Sequence, residues 1–159
     1  MKKAYLKLLL GGIILLGTAS VTSCSNDDEG NEIETVITLK DLPVEAQTFL
    51  STYFSGVHTK SIEKQMIKDI IMYNVEMENG YDIMFDSQGE WQQVEAPDGK
   101  TVPSGFYPSG IDEYISQNYN NYTIQEINKT GNGYNVELNN GPELAFNLMG
   151  QFTNIVSEF

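Results

Sequence analysis

The sequence contains no arginine, one histidine and one cysteine in 159 residues, and these shortages exclude several kinds of site. His58 is the only histidine, so a histidine-based metal cluster cannot form. A single cysteine excludes an intrachain disulfide. Lysine is also scarce, and the formal net charge is −13. Because nucleic-acid-binding surfaces neutralise phosphates with lysine and arginine, this composition argues against nucleic acid as a partner.

Long apolar runs are missing too, apart from one near the N-terminus. Residues 8–16 are apolar or glycine and follow three lysines. This run is shorter than the roughly 18 residues that a membrane-spanning helix needs, and it is typical of a signal peptide. It leads to VTSC at residues 21–24, which resembles the lipobox of bacterial lipoproteins. We therefore predict a signal peptide over residues 1–23 and lipidation of Cys24. Loss of the three lysines would change the net charge from −13 to −16.

The residues that follow Cys24 are polar and acidic. Such a stretch cannot offset its ordering entropy by burial, so residues 24–37 are predicted to form a flexible tether. The acidic cluster also resembles the export signal that places lipoproteins of bacteroidete-type bacteria on the outer face of the outer membrane. The alternatives are a plain solvated spacer and a periplasmic location. Calcium binding by this cluster has little support, because the ordered spacing of a calcium loop is missing.

The remaining residues, 38–159, contain an internal repeat. The segment YNVEMENG at residues 73–80 returns as YNVELNNG 61 residues later. At the same offset Phe85 matches Phe146, and Gly89 matches Gly150. This self-similarity predicts a tandem duplication, with one copy at residues 42–95 and the other at 107–159. Residues 96–106 connect the two copies.

Each copy is predicted to be a helix followed by four strands. Apolar residues at helical spacing open both copies; they are Ala46, Phe49, Leu50 and Tyr53 in the first and Ile111, Tyr114, Ile115 and Tyr119 in the second. Alternating apolar and polar residues then predict strands, including outer strands near 61–67, 91–95, 122–128 and 152–157. About 55 residues are few for an independent core. The predicted fold is therefore α+β, with one continuous antiparallel sheet and both helices on one face.

The register of the first hairpin follows from a parity argument. A two-residue loop at the NG turn would place a glutamate opposite an apolar residue. A three-residue loop over residues 79–81 pairs Met77 with Ile83 and Val75 with Phe85, and keeps them on one face. We predict this loop and the matching register in the second copy. The register at residues 87–89 and 148–150 stays open.

The helix that opens with Leu-Pro, and the YNVE, NG, F and G-aromatic motifs of the strands, resemble the PepSY-like, beta-lactamase-inhibitor-like lipoproteins of gut bacteroidetes. The resemblance covers about residues 39–159. It implies a domain whose open sheet face and loops hold another protein or peptide. The beta-lactamase inhibitor protein acts in this way, and PepSY domains are proposed to restrain proteases. No loop motif of that inhibitor matches here, so its contact residues are not transferred.

Support for catalysis is small. The sequence has no Gly-rich phosphate loop and no nucleophile elbow, and acylation would remove the thiol of Cys24. We therefore predict that the chain is not an enzyme and has no cofactor and no metal site. The leading hypothesis is a monomeric protein- or peptide-binding module that touches the membrane only through its lipid. The alternatives are a hydrolase that uses acidic residues of the sheet face, and a passive surface protein.

The predicted binding surface is the sheet face without helices. Its charged members are Glu76, Asp82, Glu137 and Glu143, and its other members are Asn74, Met84, Asn135 and Ala145. This acidic face would attract basic partners. Tyr81 and Phe106 are the candidate aromatic anchors beside it.

Overall fold

The computed structural model describes residues 33–67 and 69–158, which form one antiparallel sheet and two α-helices. The helices are α1 (Val44–Tyr53) and α2 (Ser109–Asn118). In this part of the chain the sheet has nine strands, which lie side by side in chain order. They are β1 (Ile33–Val36), β2 (Thr59–Ile67), β3 (Ile70–Met77), β4 (Asp82–Asp86), β5 (Trp91–Glu95), β6 (Ile124–Thr130), β7 (Gly133–Leu138), β8 (Glu143–Asn147) and β9 (Phe152–Ser157). The α+β class with a single antiparallel sheet is confirmed.

The predicted tether extends too far at its C-terminal end, because part of it forms the first strand. Residues 33–36 pair antiparallel with residues 63–66 of β2 and form an edge of the sheet. Four exposed residues give too short a pattern to predict a strand, but β2 offers them a row of backbone donors and acceptors. The predicted signal peptide, Cys24 and the rest of the tether lie outside the described residues.

A row of buried aliphatic residues crosses the middle of the sheet from β3 to β8, with one residue from each strand. The strand registers place each directly opposite the next; the members are Val75, Ile83, Val94, Ile127, Val136 and Leu144. All six are 0% exposed. Because side chains alternate along a strand, the chain neighbour of each lies on the opposite face.

Aromatic contacts join each helix to a strand of its own half. Phe49 of α1 meets Phe85 of β4 edge to face, with ring centroids 5.5 Å apart and planes at 81°. Tyr114 of α2 meets Phe146 of β8 at 5.6 Å and 82°. The two halves therefore repeat this contact almost unchanged.

Two hairpin glycines allow the start of each helix to approach the sheet closely. A Cβ added at Gly89 would lie 2.7 Å from Cβ of Pro43, and one added at Gly150 would lie 2.7 Å from Cβ of Pro108. Both glycines also have positive φ, 87° and 75°. Each proline directly precedes its helix and presets the backbone for it.

The loop between β3 and β4 has an odd number of residues, but the predicted pairing is wrong by two positions. Val75 pairs with Ile83, whereas we expected Val75 opposite Phe85 and Met77 opposite Ile83. A shift of two residues leaves every side chain on its predicted face, because the side-chain period of a strand is two. The predicted apolar face is therefore the buried one.

The pairing is shifted because the turn begins one residue earlier than predicted. The amide of Met77 donates to the carbonyl of Tyr81 at 2.8 Å, so the loop is residues 78–80. Gly80 closes it with φ of 90°, in the manner of a three-residue hairpin with a glycine bulge. In the second half Val136 pairs with Leu144, which is the same shift. Neither helix of the described chain is long and apolar enough to cross a membrane.

Candidate protein-binding face

Six carboxylates form a line across the sheet face opposite the buried row. One comes from each strand from β3 to β8, and each is the chain neighbour of a fully buried aliphatic residue. The registers place successive members directly opposite each other; they are Glu76, Asp82, Glu95, Glu126, Glu137 and Glu143, called the acidic row below. Neighbouring strands lie about 4.8 Å apart, so the row is roughly 24 Å long.

This arrangement opposes folding, because like charges directly opposite in a sheet are destabilising. Glu126 shows the effect: burial raises its pKa, a hydrogen bond from Asn128 lowers it, and the charges of Glu95, Glu137 and Glu143 raise it further. The net direction is upward. The ionised form of Glu126 is thus penalised in the folded protein.

Asp82 is in the same situation in the first half. Burial raises its pKa, and the charges of Glu76 and Glu95 on the adjacent strands add to this rise. The charge of Lys60 opposes it. The ionised form of Asp82, like that of Glu126, is thus penalised in the folded protein.

Contacts within the sheet hold several of these carboxylates in place. Nζ of Lys60 lies 2.5 Å from Oε1 of Glu76. The amide of Asn135 donates to Glu143 at 2.9 Å, and the amide of Asn128 donates to Glu126 at 2.6 Å. The two amides fix carboxylate positions without neutralising their charge.

A second line of residues, mostly amides, runs beside the acidic row. Its members lie opposite each other on β3 to β9; they are Asn74, Met84, Gln93, Asn128, Asn135, Ala145 and Asn154. We call this line the amide row. The two rows together give a face with anionic acceptors on one side and neutral donors and acceptors on the other.

All four carboxylates predicted for the binding face lie in the acidic row. Sequence reasoning missed Glu95 and Glu126, although each adjoins an aliphatic residue, Val94 or Ile127, that is fully buried. These two carboxylates join the row only because β5 pairs with β6. That pairing links the two halves over a long connector, and no local pattern predicts it.

The two predicted aromatic anchors do not lie on this face. Tyr81 is 8% exposed, and its ring packs 5.2 Å from that of Phe54 at the end of α1. The register shift explains this, because it moves Tyr81 out of the loop and onto the apolar side of the hairpin. Phe106 is half-buried among aromatic rings, 5.0 Å from Phe49 and 4.8 Å from Trp91. Both residues stabilise the core, and neither can anchor a partner on the acidic face.

The described part of the chain offers no ready site for a metal ion. Across residues 33–67 and 69–158, no group of three or more histidine, cysteine, aspartate or glutamate side chains is arranged to hold an ion. The carboxylates of the acidic row lie along a line, so they do not surround one point as metal ligands do. The face is therefore suited to bind positive charges that are spaced along that line.

Comparisons with known proteins agree with this fold. A solved structure of a "putative periplasmic protein of unknown function" from Bacteroides vulgatus is 29% identical, with a TM-score of 0.73; the match covers 80% of this chain and all of the other. A "putative calcium-regulated periplasmic protein" from Bacteroides thetaiotaomicron is 27% identical, also with a TM-score of 0.73, over 78% of this chain and 97% of the other. No curated protein matches significantly.

A family model points in the same direction. The model described as "Putative beta-lactamase-inhibitor-like, PepSY-like" matches residues 71–154, which is more than half of the chain and includes the whole acidic row. The sequence motifs of the strands resemble the same family. The chain therefore belongs to the PepSY-like family.

Proposed function

We propose that this chain is a non-catalytic binding module of the bacterial cell envelope, and that the acidic row holds a basic segment of another protein or peptide. The acidic row is the observation that carries the proposal. Six carboxylates in direct register oppose folding of the free protein, and a cationic partner would offset that repulsion. A surface of this kind also steers basic partners toward itself.

The dimensions of the face fit an extended segment. A chain in the extended conformation rises about 3.3 Å per residue, so the roughly 24 Å of the acidic row corresponds to about seven residues. Lysine or arginine side chains on one side of such a segment would reach the carboxylates. The amide row would then lie beside the backbone of the segment and could bind its donors and acceptors.

The location of the module is part of the same proposal. The two solved neighbours are described as periplasmic, which supports the cell envelope. The lipobox supports a lipid anchor on Cys24, and the acidic residues after it support display at the outer membrane, facing outward.

We also infer that the chain arose by tandem duplication and that both helices cover the same side of the sheet. The matching ring contacts of the two helices support this inference. So does the shared row of buried residues: Ile83 and Leu144 lie in that row, and each is two residues from the phenylalanine that contacts its helix, so the two share a face of the sheet. The acidic face is open because the helices lie on the other side.

Hydrolysis is less well supported than binding. Raised carboxyl pKa values, as at Asp82 and Glu126, also occur in catalytic acids. Here they arise from burial and from neighbours in a line of like charges.

Calcium is a second candidate ligand, because one solved neighbour is described as calcium-regulated. Calcium prefers six to eight oxygen ligands, and the described residues hold no cluster of three carboxylates arranged for it. We therefore propose calcium as a weak competitor for the acidic row. At matched ionic strength, CaCl₂ should displace a basic peptide more effectively than NaCl.

The test is an NMR titration of the purified chain with octalysine. We expect saturable amide shifts along the acidic and amide rows, centred on β5 and β6, with little change in α1 and α2. Shifts confined to the helices, or no saturable shift at low salt, would contradict the proposal. A parallel titration with octaglutamate should give no shifts and serves as the control for peptide length.

A further inference from the structure

We propose that the outer edge of β9 pairs with β9 of a second copy of this chain, so that two molecules share one antiparallel sheet. In the described part of the chain, β9 lies at the end of the sheet and pairs with β8 alone. A strand in this position presents unpaired backbone donors and acceptors, which another strand can use. Proteins commonly block such edges with charged side chains or proline.

The edge at β9 has neither of these blocks. Its six residues, Phe152–Ser157, include no charged side chain and no proline. Each of the other eight strands in the described chain carries at least one charged side chain, and the strand at the opposite edge, β1, carries Glu34. Ile155 and Val156 are also 40% and 45% exposed. Of the two edges of the sheet, β9 is therefore the one that is open to a further strand.

The first half shows how such an edge is covered. Val94 of β5 lies opposite Ile83 of β4, just as Ile155 of β9 lies opposite Leu144 of β8, so β5 is the counterpart of β9. The other edge of β5 pairs with β6, which places Ile127 directly opposite Val94. Val94 is 0% exposed, whereas Ile155 is 40% exposed. A strand beside β9 with an aliphatic residue opposite Ile155 would continue the buried row in the same way.

Two irregularities in the pairing of β9 with β8 set the length of the contact. Bulges can protect an edge, and β9 has extra residues at Thr153 and Val156. β5 has the counterpart of the first, at Gln92, and still pairs with β6 over residues 93–95. The second has no counterpart in β5. We therefore expect a contact about as short as the three residue pairs that join β5 to β6.

The sequence of β9 fits a second copy as the partner. A two-fold axis centred on Ile155 places it opposite the partner's Ile155, and places Asn154 opposite the partner's Val156. Aliphatic side chains then meet as in the buried row, and no like charges are opposed, which matters for a chain with a net charge of −13. Such a symmetric contact closes at two copies. The protein would be a dimer, whereas we expected a monomer from the sequence, and this proposal does not depend on the function of the acidic row.

Sedimentation equilibrium of the purified chain tests the dimer, at loadings from about 10 µM to about 1 mM and at about 0.15 M NaCl. We expect a monomer–dimer equilibrium, and hydrogen exchange of the amides of residues 154–156 should slow as the dimer forms. A monomer at every loading would overturn the proposal. So would a monomer whose β9 amides are protected by a synthetic peptide with the sequence of β6, because the edge would then accept a foreign strand and not a second copy.

A pair of matched variants locates the contact. Ile155→Lys should weaken the dimer by at least about tenfold, because it places two lysines opposite each other. Ile33→Lys makes the same change of charge on β1, at a residue that is 44% exposed, and should leave the dimer constant within about threefold. Equal effects of the two variants would overturn the proposal. If Ile155→Lys does not fold, hydrogen exchange of the unmodified chain decides, and a dimer without slower exchange in β9 counts against the proposal.

Discussion

Glu126 shows how one residue links stability to the proposed binding. It lies between Glu95 and Glu137 in the acidic row, and burial is the largest cause of its raised pKa. A raised pKa in the folded state means that the folded protein binds the proton more tightly than the unfolded chain does. The associated stability is present below the ordinary glutamate pKa of 4.5 and is lost as the pH rises through the higher folded-state value.

Neutralising Glu126 should therefore stabilise the protein at neutral pH. We expect Glu126→Gln to raise Tm at about pH 7, and we expect the gain to shrink toward zero by about pH 3.5, where the carboxyl is protonated in both states. Thermal unfolding followed by circular dichroism at several pH values measures this. Glu45→Gln, an exposed position on α1, is the control and should not raise Tm. An equal gain at both pH values would contradict the explanation.

The two buried phenylalanines provide a second test at the residue scale. Phe85 and Phe146 are at most 2% exposed, and each receives an aromatic ring from its helix. Truncation of either to alanine should lower the free energy of unfolding by about 3–5 kcal/mol, through lost transfer energy and a cavity. Denaturant unfolding of Phe85→Ala and Phe146→Ala measures both losses. A loss below about 1 kcal/mol at both positions would mean that the sheet faces are assigned backwards.

The hairpins show what a local pattern can and cannot specify. Alternation along β3 correctly predicted that Val75 and Met77 share the buried face. The same alternation is satisfied by any register that differs by two residues, so it could not choose between Ile83 and Phe85 as the partner of Val75. The choice lies in the backbone of the turn, where Gly80 takes a positive φ. Turn conformation is not visible in the apolar pattern.

A glycine series tests the contact between hairpin and helix. Gly89→Ala should destabilise the protein because alanine at a φ of 87° is strained and its Cβ would lie 2.9 Å from the backbone nitrogen of Ala46. Gly99 has a similar φ of 78°, but nothing lies within 4 Å of an added Cβ. Gly99→Ala should thus cost only the backbone strain, about 1 kcal/mol. Gly89→Ala should cost at least about 1 kcal/mol more.

Denaturant unfolding of the two variants provides the comparison, and Gly150→Ala should behave like Gly89→Ala. Its added Cβ would lie 2.7 Å from Pro108, as that of Gly89→Ala would from Pro43. Equal losses for Gly89→Ala and Gly99→Ala would show that the helix can move away from the hairpin without penalty. The close approach of helix and hairpin would then not be a constraint on the fold.

At the scale of the whole molecule, the pairing between the two halves marks the limit of what the sequence could predict. Two helix-and-four-strand units in one antiparallel sheet followed from the repeat and from the small size of each unit. The edges that meet, β5 and β6, could not be predicted, because the connector between them is long and carries no register signal. Glu95 and Glu126 were missed for this reason. The edge strand β1 was missed because its partner, β2, lies far along the chain.

The signal motif predicts that the whole chain is anchored to a membrane by a lipid. Cys24→Ser should release the protein from the membrane fraction, because serine cannot accept the thioether-linked lipid that the lipobox implies. Cell fractionation and metabolic labelling with a lipid probe measure the change. A variant that stays membrane-bound with unchanged labelling would contradict the lipoprotein prediction.

The most direct test of the binding face compares two quadruple variants that remove the same number of charges. The first replaces members of the acidic row, and the second replaces exposed carboxylates elsewhere. The row variant is Glu76→Gln, Asp82→Asn, Glu137→Gln and Glu143→Gln, and the control is Glu45→Gln, Glu78→Gln, Asp98→Asn and Glu113→Gln. Since the net charge of both variants is the same, any difference in affinity reports the position of the charges.

The measurement is the Kd of octalysine for the unmodified chain and both variants, by isothermal titration calorimetry at low salt and at about 0.5 M NaCl. The row variant should lose at least about tenfold in affinity at low salt, and the control variant less than about threefold. Both differences should shrink at high salt, because the attraction is screened. Equal losses in the two variants would show that octalysine responds only to the overall negative charge, and would contradict the assignment of binding to the acidic row.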